Sequence, residues 1–301
     1  MPLTGVIVIG MHRSGTSAVT RVVNILGAQL GRADDIYSAS DNPSGHFESV
    51  ALCAVNSAIL ASFGGMDNSP PSLWPGWELS RGANDLTPLL VSVFRDIYQA
   101  PGPWLWKDPR LCITLPLWRR VLPPFAVVFV RRAPGPVLRS LNRREGFPLL
   151  YCAALWEHYN LQALRVMEGL PVAVVDFDRL VESPDVGVSA LGGSLQQLGF
   201  RLTGSVRDAV SSLRPVSVHH GERRWEDEVF PKLQRVLASM PACTESFSYN
   251  ARVLRQRPWV GPLLHLGRSW IRFDQRLAHT LPPQVCRRLR VGQAKFAPRA
   301  R

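Results

Sequence analysis

A chain of 301 residues with 46% hydrophobic content can bury a core of its own, which excludes a disordered chain and a small scaffold stapled by disulfides. Its five cysteines, Cys53, Cys112, Cys152, Cys243 and Cys286, stand at least 40 positions apart, so no CxxC pair, zinc spacing or disulfide framework is present. Of the net charge of +12, residues Glu245 to Arg301 carry +10, with 12 Lys or Arg against two acids, and the first 244 residues are almost neutral.

The chain opens on Gly5-Val-Ile-Val-Ile9, a continuous apolar run of the kind buried on both faces of a parallel sheet. It has neither the basic start nor the small-residue cleavage site of a signal peptide, and a cytoplasmic protein is expected. A helix follows from about Thr16, with Val19, Val22, Val23 and Leu26 forming one stripe and Gly27 at its end. Residues 31 to 50 are loop-like, 50 to 61 helical, and Gly64 to Arg81 is a Pro/Trp-rich insertion. The uncharged stretch Ser49 to Met66 contains Asn56, serines and Gly64-Gly65 and is too polar to span a membrane. Strands are expected at Trp104-Leu-Trp106, Phe125 to Val130 and Val172 to Asp176, with a long helix from Leu149 to Met167. Strands alternating with helices predict an α/β, three-layer P-loop-type fold: a central parallel sheet flanked by helices, with its ligand at the carboxyl ends of the strands. The expected organisation is a body over residues 1–245 and a basic, amphipathic helical extension over 246–301.

Four stretches carry chemistry. Gly10-Met-His-Arg-Ser-Gly15-Thr-Ser17 has the G-x-x-x-x-G frame of a phosphate loop, yet Thr16 stands where a nucleotide hydrolase has lysine. Backbone N–H groups and the helix dipole at such a turn favour an anion, and the positive charge has moved into the loop at Arg13. Asn42-Pro-Ser-Gly-His-Phe-Glu48 offers a carboxylate, Glu48, and a rival base, His46. Trp106-Lys-Asp-Pro-Arg110 places Lys107, one of only three lysines among 35 basic residues, at a strand end, with Asp108 as a cap for the next helix. Val130-Arg-Arg-Ala-Pro134, with Val137 and Ser140, puts an arginine at a strand end and a hydroxyl one turn into the following helix. Both can reach one phosphate, and the doublet leaves Arg131 beside Arg132.

In this order the four stretches resemble the sulfotransferases that use 3′-phosphoadenosine-5′-phosphosulfate (PAPS). The loop is similar to the Arg-Ser-Gly-Thr form of the tyrosylprotein and bacterial carbohydrate branches, and the likeness spans about residues 4 to 184. The resemblance implies that Arg13, Ser14, Gly15, Thr16 and Ser17 hold the 5′-phosphosulfate and that Arg132 and Ser140 hold the 3′-phosphate. It further implies that Lys107 faces the sulfuryl group in transit, that Glu48 is the base, and that adenosine 3′,5′-bisphosphate (PAP) is the second product. A hydroxyl of a carbohydrate or glycoconjugate is the expected acceptor, with no metal and no nucleic acid. His219-His220 and Arg223-Arg224 fall where a later basic loop would close over the nucleotide. Within 263–281, Arg268, Arg272 and Arg276 step by four as one basic stripe, suited to peripheral contact with an anionic inner membrane surface or to packing on the body. A P-loop kinase with Val174-Val175-Asp176 as its magnesium strand, or a non-catalytic anion- or nucleic-acid-binding protein, are the other readings of these residues.

Overall fold

The computed structural model describes residues 2–37, 45–99, 102–213, 225–249 and 254–267. Strand β1 (Gly5–Ile9) leads through the glycine loop into helix α1 (Thr16–Ile25), and a two-residue strand β2 (Gln29–Leu30) follows. Helices α2 (Val50–Ser62) and α3 (Arg81–Ile97) precede β3 (Trp104–Lys107) and α4 (Leu111–Trp118). Then come β4 (Phe125–Arg131), α5 (Pro134–Glu145), α6 (Leu149–Val166), β5 (Val172–Asp176), α7 (Phe177–Glu182) and α8 (Pro184–Gln197). Short helices α9 (Val206–Ser211) and α10 (Pro231–Ala238) and a two-residue strand β6 (Cys243–Thr244) complete the named elements.

The strands form one sheet in the order β2-β3-β1-β4-β5-β6. The pairs from β2 to β5 are parallel, as the alternation of strands and helices requires. Strand β6 instead runs antiparallel, pairing Val172 with Thr244 and Ala173 with Cys243. Its short return from α10 needs no crossover, which permits that direction.

The period-two geometry of strands divides the core in two. Ile7 and Ile9 of β1, with Trp104, Trp106, Val127 and Phe129, face α2, α3, α4, α5 and α6. Val6 and Val8, with Leu105, Val128 and Val175, face α1 and α8. Trp74, Trp77 and Trp104 have the ring faces a sugar could stack on, but Trp77 and Trp104 are buried in the first of these cores, because the insertion and α3 fold down against the sheet, and Trp74 is exposed. Phe247, Leu254, Val260 and Leu264 bury into the same core. Arg268, Arg272 and Arg276, like His219, His220, Arg223 and Arg224, lie outside the described residues. No helix among the described residues is long and apolar enough to cross a membrane.

A buried polar knot ties α2 to α4 behind the strand ends. Asn56 donates to Asp108 Oδ2 at 2.8 Å, while its own carbonyl oxygen accepts from Thr114 Oγ1 at 2.7 Å and Trp118 Nε1 at 2.8 Å. Asp108 accepts two bonds from Arg110, through the backbone N–H and Nη1, both at 2.9 Å. It is fully buried and serves this knot; the position before α4 that a cap would occupy belongs to Arg110. Removing one member of such a network strands the others without water. Asn56→Ala is expected to cost about 2–4 kcal/mol of stability, read as a lower urea midpoint at unchanged slope.

Candidate active site

Sheet order brings the carboxyl ends of β3, β1 and β4 side by side, since the chain crosses from one flank of β1 to the other between β3 and β4. The register sets Lys107 opposite Val8 and Phe129 opposite Ile9, so the loop after β1 is flanked by Lys107 on one side and by Arg131 and Arg132 on the other. A cleft of about 360 Å³ opens here.

The loop is shaped by close approach. A Cβ at Gly10 would run into the Val130 carbonyl, and one at Gly15 into the ring of Phe177. Gly15 also needs φ of 87°, in the left-handed region where glycine carries no penalty. Arg13 adopts φ of 68°, a conformation uncommon for a side chain of its size, and its Nε donates to Ser140 Oγ at 2.9 Å. The N–H groups in the first turn of α1 have no carbonyl partner within the helix and point to this end.

Eight of the nine residues to which the resemblance gives a role line one cleft, Arg13, Gly15, Thr16, Ser17, Glu48, Lys107, Arg132 and Ser140, and so does the rival base His46. Ser14 does not. Its side chain is buried and its N–H donates to the Met11 carbonyl at 3.1 Å, closing the turn that presents its neighbours. The arginine doublet separates cleanly. Arg132 reaches the cleft, where its Nε donates to Asp178 Oδ1 at 2.9 Å and its Nη1 to the Arg13 carbonyl at 3.2 Å, with the guanidinium 4.8 Å from the Phe177 ring centroid. Arg131 turns away to pair with Asp176 at 3.2 Å. Asp176 also caps α7 and does not line the cleft, so its carboxylate is committed to Arg131 and the helix start instead of facing this loop. The Gly135-Pro136 start of α5 has a packing reason, because a Cβ at Gly135 would overlap the Asp227 carboxylate, itself held by Arg139 at 3.3 Å.

Glu48 is held in place by the start of α2. Ser49 caps that helix, accepting from the Leu52 N–H at 3.1 Å, and its hydroxyl in turn donates to Asp35, which also accepts from the Ala51 N–H at 3.0 Å. The Glu48 carbonyl accepts from the Tyr37 N–H at 2.7 Å. Its carboxylate Oε1 is 2.5 Å from Lys107 Nζ, an ammonium only 3% exposed. Burial alone would raise the Glu48 carboxyl, but the Lys107 ammonium, with Arg110 behind it, outweighs burial and holds it at about 2. His46 stands beside it with its ring 5.4 Å from Tyr37, and its carbonyl accepts from Lys107 Nζ.

Several cleft residues carry too little local pattern to be singled out in the sequence. Arg21 and Arg144 line it, each four positions after a recognised residue, Ser17 and Ser140, so helical spacing was the available signal. His12 lines it too, edge-on to Tyr159 at 5.0 Å, and loss of hydration there lowers its pKa to about 4, leaving the imidazole neutral. Asp178, readable in the sequence only as the acid that ends the element from Val172, stands behind the cleft and acts on it through Arg132. Among the described residues no group of His, Cys, Asp and Glu is arranged to hold a metal ion.

No protein-family model matches the chain, and a search of curated proteins finds no match. Among solved structures it is similar to a sulfotransferase domain of the Synechococcus PCC 7002 olefin synthase, 15% identical over 89% of this chain and 95% of that one, at a TM-score of 0.39. A sulfotransferase domain from the curacin biosynthetic pathway is 15% identical over 88% and 98%, at 0.40. The sulfotransferase STF1 of Mycobacterium tuberculosis H37Rv is 15% identical over 80% and 78%, at 0.42. At this identity and overlap, residue roles do not transfer from those proteins to this one.

The paired carboxylate makes stability depend on pH. With a folded pKa near 2 against an ordinary 4.5, Glu48 stabilises the fold above about 4.5, and that contribution is lost as pH falls toward 2. Between pH 5 and 2.5 the native protein is expected to lose on the order of 2 kcal/mol more than Glu48→Gln, measured by chemical denaturation at each pH.

Proposed function

We propose that the protein is a PAPS-dependent sulfotransferase acting on a hydroxyl of a carbohydrate or glycoconjugate. The observation that carries this reading is the convergence, in one cleft at a phosphate loop lacking the usual lysine, of Arg13 with Ser140 and of Lys107 with Glu48. The acceptor class rests on the motif resemblance.

In this reading Arg13 and the first-turn amides of α1 steady the 5′-phosphate, while Arg132 and Ser140 take the 3′-phosphate. The acceptor oxygen attacks sulfur in line. As its bond to sulfur forms, the bond from sulfur to the phosphate oxygen breaks, and that electron pair stays on the phosphate. The acceptor proton passes to Glu48, and the products are a sulfate ester and PAP. Lys107 supplies positive charge to the sulfuryl oxygens, where a compact ammonium approaches more closely than a guanidinium. The protein's work is positioning and electrostatics, as in phosphoryl transfer. The anionic charge of the donor is met by Arg13, Lys107 and Arg132, so its binding calls for no magnesium.

Calorimetry with PAP, ATP and ADP, in EDTA and then with magnesium, tests the assignment. PAP is expected to bind equally in both conditions and at least about tenfold more weakly to Arg132→Ala, the cost of one charge-assisted contact. Magnesium-dependent binding of ATP with indifference to PAP would replace this reading with a kinase.

A further inference from the structure

A carboxylate held at about 2 is a poor base near neutral pH, yet the proposed reaction asks it to take the acceptor proton. The hydrogen bonds around it suggest how the two are reconciled. Lys107 Nζ donates to Glu48 Oε1 at 2.5 Å and to the His46 carbonyl at 3.1 Å. The same carbonyl accepts from Ser17 Oγ at 3.3 Å. Residues 46–48 are thus tied at one point to the first turn of α1 and at two to the end of β3. These are the two elements whose donors a phosphosulfate would claim.

We infer that residues 46–48 act as a donor sensor: Ser17 and Lys107 keep Glu48 paired until the oxygens of a bound phosphosulfate draw them away, so that the base is armed only after the donor is in place. The inference rests on the sulfotransferase reading above. Lys107 is the positioning residue in it, because one buried ammonium cannot fully serve both a carboxylate and a sulfuryl group. When it turns to the sulfuryl oxygens, Glu48 loses its counter-charge and gains an anionic neighbour, and burial then raises its proton affinity. The other groups facing it are Arg110 from the turn before α4, the Cys53 thiol of α2 with Sγ 3.7 Å from Oε2, His46 in its own segment and neutral His12 in the phosphate loop. Arg110 stays in its buried pair with Asp108: its attraction still favours the charged carboxylate, but it gives Glu48 no hydrogen bond in place of the one from Lys107, so it offsets that loss only in part. The reaction is thereby ordered at both ends. Donor binds before acceptor chemistry can start, and in the product complex, where no sulfuryl group remains on the nucleotide, Lys107 returns to Glu48 and expels the proton it accepted to solvent.

The test is proton uptake on ligand binding, measured by calorimetry at pH 5.5 in two buffers of different ionisation heat, with the full chain and Glu48→Gln. PAPS is expected to bring up to about one proton more onto the native protein than onto the variant. PAP, which lacks the sulfuryl group, is expected to show no difference between the two proteins. Infrared difference spectra of the native protein read the same event without a variant, as a protonated carboxyl band that appears with PAPS and not with PAP. Equal uptake by both proteins with PAPS, or the same excess with PAP as with PAPS, overturns the sensor while leaving the donor assignment standing. Failure of both PAPS and PAP to bind overturns the donor assignment and the sensor with it.

Discussion

Lys107 lies almost wholly out of water, and the protein tolerates it there because Glu48 meets it. An unpaired ammonium at that depth would lose its proton or force the strand end open, and an unpaired carboxylate would bind a proton. Each side of the pair imposes an order on the chain around it. Lys107 requires β3 to end beside β1, and Glu48 requires α2 to begin where Ser49 and Asp35 hold it. A buried ion pair is weak evidence for stability, because desolvation consumes much of its attraction. Its value here is as stored electrostatics inside the cleft, beside the glycine loop.

The same logic runs through the rest of the cleft. Arg13 leans on Ser140, Arg132 on Asp178 and the Phe177 ring, and the loop of Arg13 is closed in at Gly10 by Val130 and at Gly15 by Phe177. Positive groups positioned in advance bind an anionic ligand without first being gathered from solvent, which is how a site of this kind contributes to a reaction. The knot of Asn56, Asp108, Arg110, Thr114 and Trp118 stands behind them as a rigid wall between α2 and α4. Asn56 uses its amide nitrogen and oxygen within the knot, and Arg110 adds its charge to that of Lys107 beside Glu48.

Much of this was legible in the chain before folding, and much was not, for reasons tied to particular residues. The strand-loop-helix at Gly5 to Ile25 comes from a local apolar run, a glycine frame and a helical stripe, all readable within 21 positions. The preference for Arg132 over Arg131 came from the motif resemblance and its spacing to Ser140, and the fold separates the two by pairing Arg131 with Asp176. By contrast, Asp108 reads locally as a helix cap, and only the arrival of Asn56 from α2 makes it a buried hub. The two-residue strand β6 has too little pattern to signal itself, and Trp77 and Trp104 look alike as core or as ligand platforms until the sheet covers them.

By itself, then, the sequence determined the local chemistry: a glycine turn at a helix N-terminus with its charge at Arg13, a lysine at a strand end, an arginine and a hydroxyl on either side of one strand-to-helix turn. These are statements about neighbours along the chain, governed by backbone geometry and by periods of two and 3.6 residues. Tertiary structure decided which of them meet. Arg13 and Ser140 are 127 positions apart, Lys107 and Glu48 are 59 apart, and Arg132 and Asp178 are 46 apart. Those encounters depend on sheet order and register, which are set by the burial of both faces of the sheet at once, and no local pattern in one chain encodes that sum.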